Sequence, residues 1–335
     1  MLQPRPPFRG EIERALRQSD RLSPKSLTEP SRATVDYPLP GAVAVLVVFD
    51  TRHDLAPALR SVLQALAHVV VVDNSADGHP ALAEWRNAPR VTILHNRNRG
   101  GLAGAYNEAI RWLTVDRTEP TTHVVFVDED SDAAVLRSFL TDPDVQAMLN
   151  DASTAAVAPA HRDRATGLRA RHMVLRRWGW RYLVREIRGM QRVAFVINSM
   201  SVWRMDALRS IGAYNEWLGV DHVDTEYSLR ARRRGLAVYM HGDFEFAQSV
   251  GRRHAYRLGG RVLQSGGHTI QRRYGIARSL CVLSRTWLLR EPAFAALCLA
   301  RLGYEAVGIM LAERQRLSKL GALVCGGLAG LFARN

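Results

Sequence analysis

"AVAVLVVF" occupies residues 42–49, eight positions without a polar member. A strand with one face in water alternates polar and apolar residues. An unbroken apolar run marks a strand covered on both faces, as in a parallel sheet flanked by helices. The neighbouring segments repeat the theme. "LAPALRSVLQAL" (55–66) has helical period, and "HVVVVDNSADG" (68–78) is a second buried strand closing in an Asx-type turn. "VTILHN" (91–96) is a third strand, "GLAGAYNEAIRWL" (101–113) a helix and "HVVFVDED" (123–130) a fourth strand. Strands alternating with helices predict right-handed βαβ units, hence an α/β fold with a mostly parallel sheet and helices on both faces.

Beyond residue 151, "AAVAPA" reads as a short strand, and an Arg- and Trp-rich insertion, "RARHMVLRRWGWRYLVREIRGMQR", follows it. "VAFVINSMSVWR" resumes β character, a helix is expected from about Thr225 to Arg234 with Gly235 closing it, and "LAVYMHGDFEFAQS" supplies the last strand. Helices are expected to fill the remainder. The division is a loosely docked extension over 1–40 (with a short helical pattern at 11–17), a catalytic domain over 41–250 and a basic helical region over 251–335.

The 335 residues, 47% hydrophobic, are enough for one large domain with appendages or for two domains. Three cysteines, Cys281, Cys298 and Cys325, are odd in number and far apart, which fits a reducing compartment without a disulfide frame or zinc-type spacing. The N-terminus lacks a signal-peptide core. Residues 320–333, the longest apolar candidate, are too few and too glycine-rich to span a membrane.

The net charge is +14, and residues 250–335 carry 13 Arg and one Lys against three Glu. Bases interleaved with amphipathic helices suit an anionic membrane surface, and equally a packed helical region with a solvated basic face. Nucleic acid is the lesser alternative, and the crowded acids at the strand ends argue against it.

Ligands of open α/β sheets bind beyond the carboxyl ends of the strands. Three such ends are polar here: Asp50 with Thr51, Asp73 with Asn74, and "DEDSD" at 128–132. Carboxylates this close repel one another's ionisation unless a cation joins them. Asp128 and Asp130, two apart, can reach a hard divalent cation and a ribose hydroxyl or metal-bound water, or they form a solvated acidic turn. Asp73 can accept from the imide N–H of a pyrimidine or be an ordinary turn residue. "HNRNRGGLAGAYNEAI" (95–110) has neither dinucleotide-binding nor P-loop glycine spacing. In "VDHVDTEYSLRARRRG", Asp224 suits a helix N-cap and also a general base at the helix mouth.

The ordered set V-D-N-S, N-R-N-R-G-G-x-A-G-A-x-N, V-D-E-D-S, I-G-A-Y and D-H-V-D-T-E-Y-S-L-R resembles family 2 glycosyltransferases of the GT-A fold, especially the bacterial rhamnosyltransferase and galactofuranosyltransferase branch. The resemblance covers residues 42–251. It implies an inverting transfer of a sugar from a nucleotide diphosphate donor, dTDP- or UDP-linked, to a glycan or lipid-linked acceptor in cell-surface polysaccharide synthesis. Thr51 and Asp73 would contact the base. Asp130 would bind Mg²⁺ or Mn²⁺, and Asp128 the ribose or the metal's water. Asp224 would deprotonate the acceptor, Asp221 and Glu226 would shape its pocket, and Arg230 would fix these carboxylates on the donor side.

Two departures stand out. Gln248 occupies the place of a metal-binding His; its amide oxygen can coordinate the ion more weakly, or His241, His254 or the donor phosphates complete the shell. Met200 in "NSMS" replaces a glycine, where its bulk is expected to reshape the sugar pocket. A catalytically impaired nucleotide-sugar-binding protein of the same fold is the alternative that Gln248 raises. Trp178 and Trp180 offer acceptor-stacking faces or lipid anchors. Together with the basic tail, they suggest a lipid-linked acceptor met at the cytoplasmic face of the inner membrane.

Overall fold

The computed structural model describes residues 36–50, 54–164, 167–170, 172–175, 181–184, 186–248, 254–258 and 261–333. Thr51, Trp178, Trp180 and the helical pattern at 11–17 lie outside the described residues. The chain begins as its apolar runs predict: β1 (Ala42–Val48), α1 (Ala56–Ala65), β2 (His68–Asp73), β3 (Val91–His95), α2 (Gly101–Arg111) and β4 (His123–Asp128). These four strands are parallel and ordered β3-β2-β1-β4.

Both faces of β1 are covered, as its unbroken apolar run requires. Val43, Val45 and Val47 join one core, and Ala42, Ala44, Leu46 and Val48 join the other. α1 covers the second face through Leu59 and Val62, while α2 covers the first through Ala103, Tyr106 and Ala109. α3 (Leu136–Thr141) and α4 (Pro143–Asn150) return on the α1 side, burying Leu136, Phe139, Val145 and Leu149.

The second half departs from a simple parallel pattern. β5 (Thr154–Asp163) and β10 (Ala237–Gln248) are parallel neighbours, but β9 (Val202–Arg204) inserts between β4 and β5 and runs against both. The Arg-rich insertion forms β6 (His172–Leu175) and β7 (Arg181–Val184), joined to β10 through β8 (Met190–Val193). The result is one mixed ten-stranded sheet. α5 (Met205–Ile211) and α6 (Val223–Arg233) pack on the α2 side.

The tail is not helical throughout, contrary to expectation. β11 (His254–Leu258) and β12 (Arg261–Ser265) form an antiparallel hairpin before α7 (Ile270–Trp287), α8 (Pro292–Ala312) and α9 (Arg316–Phe332). Nor does the core break at the expected boundary near 250. Ile276, Leu280 and Trp287 of α7, with Phe294 and Cys298 of α8, belong to the same core as β1 and α2. The tail helices are therefore fixed to the sheet domain by burial of large apolar side chains, each worth about 1.5–3 kcal/mol.

Candidate active site

Register alone brings the acidic strand ends level. Val48 of β1 pairs with Asp73 of β2, and Val47 pairs with Asp128 of β4. β10 ends beside β5, with Gln248 opposite Asp163. Gln248 reaches across this edge and donates from its side-chain amide to Asp128 Oδ2 at 2.8 Å. Ser199 Oγ accepts from the Asp128 backbone N–H at 3.4 Å and meets Ser131 Oγ at 2.5 Å.

Asp128 keeps only part of its surface in solvent. Desolvation, then the charges of Asp130 and Asp224, push its pKa up to about 7. Asp224 is pushed up to about 6, chiefly by desolvation, against hydrogen bonds from Thr225 that lower it. Tyr106, buried below in α2, has its hydroxyl pKa raised well above the ordinary value by burial and by the same two carboxylates, Asp128 and Asp224. Asp130 and Asp224 both lie close enough to act on the charge of Asp128, though Asp224 arrives from a helix nearly a hundred positions later. Burial and like charges both oppose ionisation of these carboxyls, and a cation among them would offset both.

Asp224 is not the helix N-cap that its residue type suggests. His222 begins α6 in the left-handed region, at φ 68, without a side-chain cap bond. Asp224 therefore lies in the first turn, where the helix dipole favours a negative charge. Its Oδ1 accepts from the Thr225 backbone N–H at 2.7 Å.

The glycine-rich segment after β3 fixes the loop that carries Asp224. Asn107 of α2 donates to Tyr214 O at 3.1 Å and to Glu216 Oε1 at 2.8 Å, and accepts from Tyr214 N at 2.7 Å. Ala103 N donates to Gly219 O at 3.2 Å. Gly101 has φ +63, and a Cβ there would lie 2.7 Å from Gly219 O, so two backbones meet where only glycine fits. Asn74 and Asn96 complete the device: Asn96 Nδ2 donates to Asn74 Oδ1 at 2.6 Å. From the other side, Arg272 of α7 pairs with Asp221 at 3.4 Å, and Arg278 donates to Trp217 O at 2.8 Å.

With this geometry in place, the comparisons are direct. The family model described as Glycosyl transferase family 2 matches residues 43–212, just over half of the chain. The chain belongs to glycosyl transferase family 2. Its mixed sheet, with a parallel half ending in the acidic edge, is the GT-A fold of that family. Among solved structures, a crystal structure of GalNAc-T7 with UDP, GalNAc and Mn²⁺ is similar at 15% identity and TM-score 0.47, over 84% of this chain and 57% of that one. This chain therefore spans little over half of GalNAc-T7. No curated protein matches it.

In this family 2 chain the matched region includes Asp128 and Asp130 but ends before Asp224. The placement of Asp224 therefore rests on the structure's own geometry. Several expectations change at this point. Asp73 is 1% exposed; its carboxylate accepts from Ser75 N at 3.0 Å and His79 N at 2.8 Å, so it holds a turn instead of presenting a free carboxylate to a base. Glu226 is buried and bonded to Arg230 at 3.0 Å, while Arg230 also donates to Ala213 O at 2.7 Å and Ile211 O at 3.3 Å. That pair ties α6 to the I-G-A-Y segment. Met200 does not reshape the pocket: its side chain is fully buried in the core on the α1 side, and its backbone adopts φ 61, the conformation a glycine takes freely.

His241 does not replace the family's His either. It lies on β10 against Asp142 at 3.6 Å, in a group with Asp144 whose ligand atoms are within 4.8 Å of one another. Its Nδ1 accepts from Asp243 N at 3.3 Å, and its Nε2 faces Asp142. His254 falls in β11.

The sequence reading missed three residues. Arg164 donates to Asp130 O at 3.0 Å and is exposed at the cleft's edge. Asn198 is buried, accepts from Tyr214 Oη at 3.5 Å, and has an Nδ2 without an acceptor among the described residues. Tyr106 underlies the acids. Arg164 is one base among many, while Asn198 and Tyr106 lie in the "NSMS" and glycine-rich segments, where only the structure shows an orphaned donor and a ring under the acids.

Proposed function

We propose that the chain is an inverting glycosyltransferase that moves a sugar of the rhamnose or galactofuranose type from a dTDP- or UDP-linked donor to a hydroxyl of a glycan or lipid-linked acceptor. What supports this reading is that Asp128, at the carboxyl edge of a family 2 sheet, feels the charges of both Asp130 and Asp224.

An oxygen-only donor set of Asp130, Asp128 and the Gln248 amide oxygen fits a hard cation, Mg²⁺ or Mn²⁺. When bound, such an ion supplies charge stabilisation for the departing diphosphate. The chain's own groups do the rest. Gln248 donates to Asp128, a hydrogen bond that favours the ionised form against burial and the neighbouring acids. Arg164 sets a guanidinium beside the Asp130 loop, where it can pair with donor phosphate oxygens. Asn198 offers its unpaired N–H₂ to a sugar oxygen, which relieves a buried donor otherwise costing about 1–3 kcal/mol.

Asp224, ionised above about pH 6, takes the proton of the acceptor hydroxyl. The acceptor oxygen forms its bond to the anomeric carbon as that carbon's bond to the diphosphate oxygen breaks. Nucleoside diphosphate leaves, and displacement from the opposite side inverts the configuration. Asp221 borders this acceptor side and is held by Arg272.

The test is a donor screen read by released nucleoside diphosphate, with dTDP-rhamnose and UDP-galactofuranose first, with and without Mn²⁺. Release that requires donor, acceptor and cation supports the reading. Tight nucleotide binding without release from any donor would instead support a binding protein whose turnover was lost with the His-to-Gln exchange at position 248.

A further inference from the structure

The tail helices leave one surface uncovered. α9 turns Lys319, Leu323, Gly326 and Gly330 inward. A Cβ at Gly326 would stand 2.2 Å from Tyr274 O, and one at Gly330 2.4 Å from Arg278 O, so α9 and α7 touch backbone to backbone. The opposite side of α9 exposes Leu317, Val324, Leu328 and Leu331, spaced by seven, four and three residues as one helical stripe. Arg285 near the end of α7 donates to Leu331 O at 2.9 Å and Ala333 O at 2.6 Å. This brings the end of α9 beside the turn that carries Leu288 and Leu289. Leu289 is 96% exposed and Phe332 81%. Exposed bases, Arg285 and Arg290, flank this apolar tip.

We propose that this tip, with the α9 stripe, docks onto the surface of an anionic lipid bilayer and lies in the headgroup region without spanning it. α8 is long and apolar enough to cross a membrane. Its Glu305, however, is ion-paired with the fully buried Arg273 of α7, and its Phe294 and Cys298 sit in the main core. Those ties hold α8 in the globular body, so the exposed side chains reach lipid from its surface. Charge selects the occupant. The tail carries 13 Arg and one Lys against three Glu, and Glu305 and Glu313 are buried in ion pairs. A second copy docked through the same patch would set arginine against arginine. A bilayer with acidic headgroups meets both the apolar side chains and the bases.

The test is flotation of the full chain with phosphatidylcholine vesicles and with phosphatidylcholine–phosphatidylglycerol vesicles, at low and high salt. It needs no donor or acceptor, so it is independent of the reaction proposed above. Binding is expected on the phosphatidylglycerol vesicles and should weaken as salt rises. A Leu289→Glu, Phe332→Glu double variant should lose at least about a hundredfold in partitioning, with an unchanged melting curve. Arg290→Glu should weaken binding only where phosphatidylglycerol is present. Failure of the wild type to float with acidic vesicles would overturn the proposal. So would full binding by the double variant, or a dimer in sedimentation that this variant dissolves.

Discussion

Gln248 donates its side-chain amide to Asp128 Oδ2 at 2.8 Å, joining the end of β10 to the end of β4 across 120 positions of sequence. The contact gives position 248 a defined task even without an imidazole. An amide N–H pointing at a carboxylate favours the ionised form, and Asp128 must ionise before a cation or a ribose can use both its oxygens. Gln248→Ala should therefore weaken binding of Mn²⁺ with nucleoside diphosphate by about tenfold, the scale of a hydrogen bond to a charged group. Gln248→His should bind at least as well as the wild type. Titration calorimetry of the three proteins decides it; equal affinity in Gln248→Ala contradicts the role.

The raised acids impose a direction on pH. Asp128 and Asp224 hold protons up to about pH 7 and about pH 6 that the unfolded chain loses earlier. Their contribution to stability is therefore fully present in acid and disappears as pH rises through those values. A cation reverses the sign by pairing with the ionised forms. Mn²⁺ with nucleoside diphosphate should raise the melting temperature clearly at about pH 8 and little at about pH 5. Turnover should climb over the same interval, with apparent pKa values that belong to the coupled set. A pH-independent thermal shift contradicts this.

Arg164 acts on the donor alone if it pairs with phosphate. Arg164→Ala should raise the donor KM by roughly tenfold and leave kcat nearly unchanged, since that pairing is present before and during transfer. An equal loss in kcat would place the residue in the chemical step instead.

The tail helices carry a buried ionic group: Arg273 with Glu305 and Glu313, joined by Lys319 at 2.7 Å. Arg273→Met removes the base shared by Glu305 and Glu313, leaving the first with Arg301 and the second with Lys319, and should cost about 3 kcal/mol in denaturant unfolding, the low end for a broken buried pair. Adding Glu305→Gln and Glu313→Gln should restore part of that stability. No recovery would mean that Arg273 matters through packing and not through charge.

Much of this was legible in the chain. The unbroken apolar runs of β1, β2 and β4 placed the parallel half, because a strand buried on both faces has no reason to alternate. The acids at the strand ends marked the working edge. The antiparallel intruder β9 is three residues long, too short for its pattern to declare direction, and β11–β12 carries mixed polarity that reads equally as helix. Asp224 looked like a cap because its residue type is right; only the left-handed backbone of His222 moves the helix start one residue ahead of it. Met200 looked obstructive since sequence does not tell which face of a turn a side chain leaves. "NRNRGGLAGAYNEAI" has no phosphate-loop spacing, and two of its glycines serve packing: Gly101 meets Gly219 and Gly100 meets Glu216, more than a hundred positions away.

The most direct check compares wild type and Asp224→Asn in single-turnover release of nucleoside diphosphate, with donor affinity measured in parallel. Donor affinity should stay near the wild-type value while the release rate falls by about 10²–10⁴-fold, the contribution expected of a positioned base. Undiminished release by Asp224→Asn would contradict the account, because no other carboxylate assigned here approaches the cleft from α6.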